Sequence, residues 1–258
     1  MTARRPPPPP LSRLACGAAL ALLTHGAAAL AADIKVISAA AVQVPVTELA
    51  EQFEKATGHR VVFEFSTAGG VESKVRGGAR NDLVINAAER LKGLAADGLV
   101  APAARSLGVV RMGVAVRKGG KVPDLSSAAS FRASLLGADS IAYGDPARGA
   151  TTGIHFGKML DKLGIGDAVR GKSHLAANGL EVMQLVTNGK AEIGVTQISE
   201  ILHVKGDTLV GLLPAELQLA SNYGVALGSA TPGTAAAQFA DLLVSAEGSA
   251  RFRHAGFD

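Results

Sequence analysis

Four short stretches of this chain place small polar residues, alanine and glycine directly ahead of a helical pattern. Ser66-Thr67-Ala68-Gly69-Gly70 lies between an alternating apolar run, Val61 to Phe65, and a pair of valines four apart, Val71 and Val75. A turn of this kind leaves backbone N–H groups unshielded at a helix N-terminus, where the helix dipole also favours negative charge. That arrangement binds an anion without a metal or a cationic side chain. One such loop is most simply an ordinary strand-to-helix turn. The recurrence at Ser38-Ala39-Ala40-Ala41, from Gly144 to Gly153 and at Asn178-Gly179 is what points to a binding site.

Several side chains near these turns could add to the chemistry. Arg148 sits in Pro146-Ala147-Arg148-Gly149, where a guanidinium would grip a carboxylate through two parallel hydrogen bonds; the competing reading is a solvated surface arginine. Thr151 and Thr152 read first as helix caps whose hydroxyls would also serve a ligand, and Asn178 as a cap first and a donor second. His155 and Tyr143 read as structural, Arg76 and Arg80 as surface charges, and Asp82 and Asp145 as partners for loop N–H groups. Signs of catalysis are missing. The chain has no H-E-x-x-H, G-x-S-x-G or P-loop spacing, its histidines are scattered, and no close carboxylate pair suggests acid–base work. We therefore expect a binding protein, with no cofactor and no metal.

Composition narrows the setting. Arg4, Arg5 and Arg13 precede an apolar run from Leu14 to Leu30, and Ala29-Leu30-Ala31 is an A-x-A site, so residues 1–31 read as a cleaved secretory signal peptide. The run is broken by Thr24, His25 and Gly26, which argues against a membrane anchor. Losing those three arginines lowers Lys plus Arg from 26 to 23, against 22 acidic residues, and the near-neutral mature chain gives no case for nucleic-acid binding. The single cysteine, Cys16, leaves with the leader, so no disulfide or thiolate metal site is expected. The periplasm is the expected location.

Strands and helices alternate along the rest. Ile34 to Ile37, Val61 to Phe65, Leu83 to Ile85, Leu107 to Val116, Ser140 to Tyr143, Glu192 to Val195, Thr208 to Leu212 and Leu217 to Leu227 read as strands. Helices are expected after Pro45, over 71–76, 88–99 and 153–163, after Ser126 or Ser127, from Asn178, and over 232–244 and 246–252. The class is α/β. The two long strands, 107–116 and 217–227, read as crossings between two lobes, with the closing helices returning to the first. The expected lobes are 32–112 with 223–258, and 113–222. In such folds the loops at the carboxyl ends of the strands face each other across a cleft.

The chain resembles the periplasmic molybdate-binding proteins of ABC importers, which have the two-lobe type II periplasmic binding protein fold with the ligand cleft between the lobes. The resemblance covers residues 33–258. It rests on Val36-Ile37-Ser38-Ala39-Ala40-Ala41-Val42, on Phe65 to Ala87 with Gly78-Ala79-Arg80-Asn81-Asp82-Leu83, on Gly144-Asp145-Pro146, on Val186 to Gly194 and on Gly256-Phe257. It implies a monomeric receptor that captures a small anion and delivers it to a membrane permease; a ligand-sensing or enzymatic domain on the same fold is the alternative. The family holds its anion with serines at the positions of Ala41 and Ala68, with backbone N–H groups and with a tyrosine at the position of Gln197. All three side chains differ here, although Ser38, Ser66 and Thr67 lie close by and the Gln197 amide can donate. A divergent paralogue is implied, with Ser38, Ala40, Ala41, Ser66, Thr67, Ala68, Gly69, Arg148, Thr151, Thr152, Asn178 and Gln197 as candidate ligand-binding residues. Exchange of hydroxyls for a guanidinium leads us to expect an organic carboxylate on Arg148 in preference to molybdate.

Overall fold

The computed structural model describes residues 2, 31–204, 209–229 and 233–258. The expected signal peptide lies outside the described residues except at positions 2 and 31. Thr208 and Pro232, the expected first residues of a strand and of a helix, lie outside them as well.

The first lobe begins with β1 (Asp33–Ala39), α1 (Gln43–Thr57), β2 (Arg60–Ser66), α2 (Ala68–Arg76), β3 (Leu83–Ala87) and α3 (Ala88–Ala96). β1 pairs in parallel with both β2 and β3, so the β2–α2–β3 unit is a crossover that passes over β1. The long β4 (Arg105–Val116) carries the chain into the second lobe. There follow α4 (Ala128–Gly137), β5 (Ile141–Gly144), α5 (Thr151–Lys162), α6 (Gly166–Arg170), β6 (Ser173–Ala176), α7 (Gly179–Thr187), β7 (Ile193–Gln197), α8 (Ile198–Leu202) and β8 (Leu209–Leu212). β9 (Ala220–Leu227), α9 (Thr234–Val244) and α10 (Ala246–His254) return to the first. The strand order is β2-β1-β3-β9-β4-β7-β5-β6, with β8 pairing to β4.

Each lobe is a sheet covered on both faces. In the first, Val46, Leu49 and Phe53 of α1 and Phe239 and Leu243 of α9 pack on Ile34, Val36 and Ile85. Val71 and Val75 of α2, with Leu91 and Leu94 of α3, cover Ile37 and Val84 on the opposite face. In the second, Phe131, Leu135, Phe156 and Leu160 close over Val114, Ile141 and Val195, while Val182 and Val186 of α7 cover Ala142 from behind. The helical patterns expected from valine and leucine spacing are the faces that are buried. The short α6, β6 and α8 were not anticipated, because four or five residues are too few to show a period.

β4 is shared between the two lobes. Its residues 105–111 pair with β9 and its residues 112–116 with β7, so it changes partners between Arg111 and Met112. Gln218 stitches the second crossing to that point. Its Oε1 accepts from Met112 N at 2.9 Å and from Leu219 N at 2.9 Å, and its Nε2 donates to Met112 O at 3.1 Å.

Candidate functional site

The carboxyl ends of β1, β2, β5 and β7 lead into loops that meet between the lobes, and the lobes touch directly there. Gly69 N donates to Gly149 O at 3.1 Å, the Thr67 hydroxyl donates to Arg148 O, and the Ser199 hydroxyl donates to Ala41 O at 2.8 Å. Gly69 and Gly149 approach so closely that a Cβ on Gly69 would lie 2.8 Å from Gly149 Cα. What remains between the lobes is a cavity of about 30 Å³, bordered by Ala39, Ala40, Ala41, Ser66, Thr67, Ala68, Gly144, Ala150, Thr151, Thr152, Asn178, Gly179, Gln197, Glu200 and Tyr223. It has room for a few heavy atoms.

Helix starts form much of its wall, and the two that follow an alanine lack a side-chain cap. The single 3-10 turn Ala40–Val42 that leads into α1 begins after Ala39, and α5 begins after Ala150; neither alanine offers an acceptor to the first N–H groups. Alanine is among the poorest residues at this position, costing about 0.5–2 kcal/mol relative to Ser, Thr, Asn or Asp, and first-turn N–H groups have no acceptor within their own helix. The starts of α2 and α7 are capped. Thr67 Oγ1 accepts from Gly70 N at 3.0 Å, and Asn178 Oδ1 accepts from Glu181 N at 3.0 Å. A ligand anion between the lobes would therefore serve as the missing cap for two helices, one from each lobe.

The side chains add donors and acceptors but no positive charge: among the described residues the lining contains no Lys, Arg or His. Tyr223 of β9 is buried, and its hydroxyl accepts from Gln197 Nε2 at 3.1 Å, which leaves its own hydrogen for a ligand. Burial raises its proton affinity, a nearby Glu200 adds to that, and the phenol stays neutral. The buried Thr151 Oγ1 and Gln197 Oε1 have no hydrogen-bond partner in the protein. Glu200 is 5% exposed. Its Oε2 accepts from Thr196 Oγ1 at 2.6 Å and its Oε1 from Gly179 N at 3.2 Å. Burial is the main reason that its carboxyl holds its proton more tightly than an ordinary glutamate, against the opposing pull of those hydrogen bonds.

Of the residues singled out in the sequence, Ala40, Ala41, Ser66, Thr67, Ala68, Thr151, Thr152, Asn178 and Gln197 border the cavity. Ser38, Gly69 and Arg148 do not. Ser38 is fully buried beneath it, its hydroxyl turned to Ala39 O at 3.2 Å. Gly69 makes the lobe-to-lobe contact. Arg148 corrects the expectation of a guanidinium fork. The loop faces the other lobe through its carbonyl, and the exposed side chain lies in a separate surface groove with Glu72 and Arg90. Thr151 and Thr152 are likewise not caps but the first two residues of α5, with Ala150 in the cap position. Tyr223 and Glu200 escaped the sequence reading. The first lies inside a crossing strand and the second on a helix of five residues, so no local pattern marked them.

The bacterial extracellular solute-binding protein family matches residues 34–258. Among known proteins, the chain is 29% identical over 229 residues to the aconitate isomerase of a Pseudomonas species, covering 86% of each. It is 30% identical over 199 residues to the molybdate-binding protein ModA of Azotobacter vinelandii, covering 74% of each. Among solved structures, the Azotobacter vinelandii periplasmic molybdate-binding protein matches with a TM-score of 0.74 at 22% identity, over 87% of this chain and 98% of that one. The fold is that of the type II periplasmic binding proteins.

Proposed function

The chain belongs to the bacterial extracellular solute-binding protein family, and we propose that it is the periplasmic receptor of an ABC importer, closing its lobes on a small oxyanion or a small carboxylate group. The observation that carries this reading is the convergence of two uncapped helix starts, one from each lobe, on a cavity without a cationic side chain. Neutral donors of this kind compensate a compact negative charge. The relatives named for molybdate binding support the same ligand class.

In this reading the leader 1–31 is removed on export. Residues 32–112 with 223–258 form one lobe and 113–222 the other, and the monomeric receptor hands its anion to a membrane permease. No helix among the described residues is long and apolar enough to cross a membrane. The relative named as an aconitate isomerase favours a competing reading, in which Glu200 transfers a proton on a bound substrate. Against it, the cavity of about 30 Å³ is small for a six-carbon tricarboxylate.

Thermal denaturation with molybdate, tungstate, sulfate, phosphate and small carboxylates tests the binding reading. A ligand at a hundred times its Kd adds about 2.7 kcal/mol of apparent stability. A sugar or amino acid that shifts the transition where no anion does would overturn it. Incubation with cis-aconitate, followed by NMR, is expected to show no isomerisation.

A further inference from the structure

A site built only to hold a fully deprotonated anion needs donors alone, yet this cavity carries two acceptors in its wall. Glu200 is the first. It is buried, its hydrogen bonds come from the neutral Thr196 hydroxyl and the Gly179 N–H, and it makes no ion pair among the described residues. Among the described residues the Tyr223 phenol of β9 is the only other titratable group in the lining; β7, α7, α5 and the turn before α1 present hydroxyls, amides and methyl groups. Glu181 of α7 directs its carboxylate to Ala177 N, and Arg90 of α3 acts on Tyr223 through its field. The second acceptor is Gln197 Oε1, which is buried and unpartnered. An amide can turn over and exchange its oxygen for nitrogen, but the Glu200 carboxyl offers no such exchange.

Placing an anion against an uncompensated buried carboxylate sets two like charges together in a water-poor space, which forces one of them to keep a proton. We propose that the cavity selects oxyanions that carry their own proton, hydrogenphosphate or the carboxylic-acid end of an organic acid, over fully deprotonated tetrahedral dianions such as sulfate and molybdate, with Glu200 sharing that proton. This rests on the anion-binding reading above. The shared proton lies on an O–H···O bridge between ligand and carboxyl; the uncapped helix starts of Ala40 and Thr151 take the remaining oxygens. Burial raises the proton affinity of Glu200, which holds the proton in that bridge and lets a deprotonated dianion bind only by taking up a proton from solution. Gly179 belongs to the same device, since a Cβ there would meet Glu200 Oε2 at 1.8 Å, so the carboxyl can lie against the start of α7 only because this residue has no side chain.

The test is isothermal titration of the full mature chain with phosphate, arsenate, acetate, malonate, sulfate, selenate and molybdate, each alone, at pH 6 and pH 8. Phosphate and arsenate differ from sulfate and selenate in carrying a proton at these pH values while keeping nearly the same size. The expected result is that phosphate and arsenate, or one of the organic acids, bind at least tenfold tighter than sulfate and molybdate. Sulfate should also weaken as pH rises. Preference for phosphate and arsenate identifies an inorganic ligand, and preference for acetate or malonate an organic one. Glu200→Gln keeps the size of the side chain and supplies an N–H in place of the acceptor. It should reduce the ratio of protonated to deprotonated anion affinity at least tenfold while circular dichroism stays that of the wild type. Should Glu200→Gln misfold, the wild-type ratio and its pH dependence decide the matter alone. Tight sulfate or molybdate binding that is independent of pH, or a ratio unchanged in a folded Glu200→Gln, overturns this inference and leaves the anion receptor standing. Binding of none of the seven overturns both.

Discussion

Closure can be weakened without touching any group that borders the cavity, by Gly69→Ala. An added Cβ would lie 2.8 Å from Gly149 Cα and 3.1 Å from Gly149 O, backbone atoms with no side chain to swing aside. The shorter distance is about 0.7 Å inside the lower end of favourable carbon–carbon contact, ~3.5 Å. Parting the lobes locally by that amount stretches the 3.1 Å bond from Gly69 N to Gly149 O to about 3.8 Å, which no longer counts as a hydrogen bond. Overpacking costs about 1–3 kcal/mol and the lost bond about 1 kcal/mol, with relief by separation absorbing part of both, so the closed form should lose about 2 kcal/mol. Only the closed form encloses the ligand, and 2 kcal/mol corresponds to roughly 30-fold weaker apparent affinity. Gly69 is also the second residue of α2, where alanine is the better helix former by up to about 1 kcal/mol, so the free protein should melt no lower than the wild type. The assays are titration with the anion that most raises the wild-type melting temperature, and small-angle scattering of the free protein, expected to give a larger radius of gyration. Affinity within twofold of wild type, at unchanged compactness, would refute the idea that this contact holds the lobes shut.

Arg148→Ala should leave anion affinity within about twofold and the melting temperature nearly unchanged, because the side chain is exposed and away from the cavity; titration and a thermal scan check both. Gln218→Ala removes the stitch where β4 changes partners and should lower stability by about 1–3 kcal/mol, read from the urea midpoint. Glu200 links stability to pH. Its folded-state proton affinity is raised above the ordinary value of 4.5, so from there upward the native chain holds more protons than the unfolded one and stability falls as pH rises through the raised native value. Urea midpoints between pH 4.5 and 8 should show that slope, and Glu200→Gln should flatten it.

Local pattern was enough for most of the architecture. Val71 and Val75 four apart, the Leu83-Val84-Ile85 run and the alternation from Val61 to Phe65 announce the crossover unit because each element is long enough to show its period. Asn178 read as a cap and is one, since capping is settled within three residues of sequence. The small-residue turns also announced that helix starts face a common region. Tertiary structure decided which groups meet in the cavity. Tyr223 arrives there from the return crossing, and only its depth in the cleft sets its hydroxyl, which accepts from Gln197 Nε2, on the cavity wall rather than leaving it one more core aromatic. Glu200 owes its chemistry to burial beside Thr196 and Gly179, and burial depends on chain segments that the local sequence does not contain. Arg148 shows the converse. Charge type and loop position pointed its guanidinium inward, but the turn presents its carbonyl to Thr67 and leaves the side chain in water, because the direction of a side chain is set by backbone dihedrals and by the opposing lobe, not by residue type.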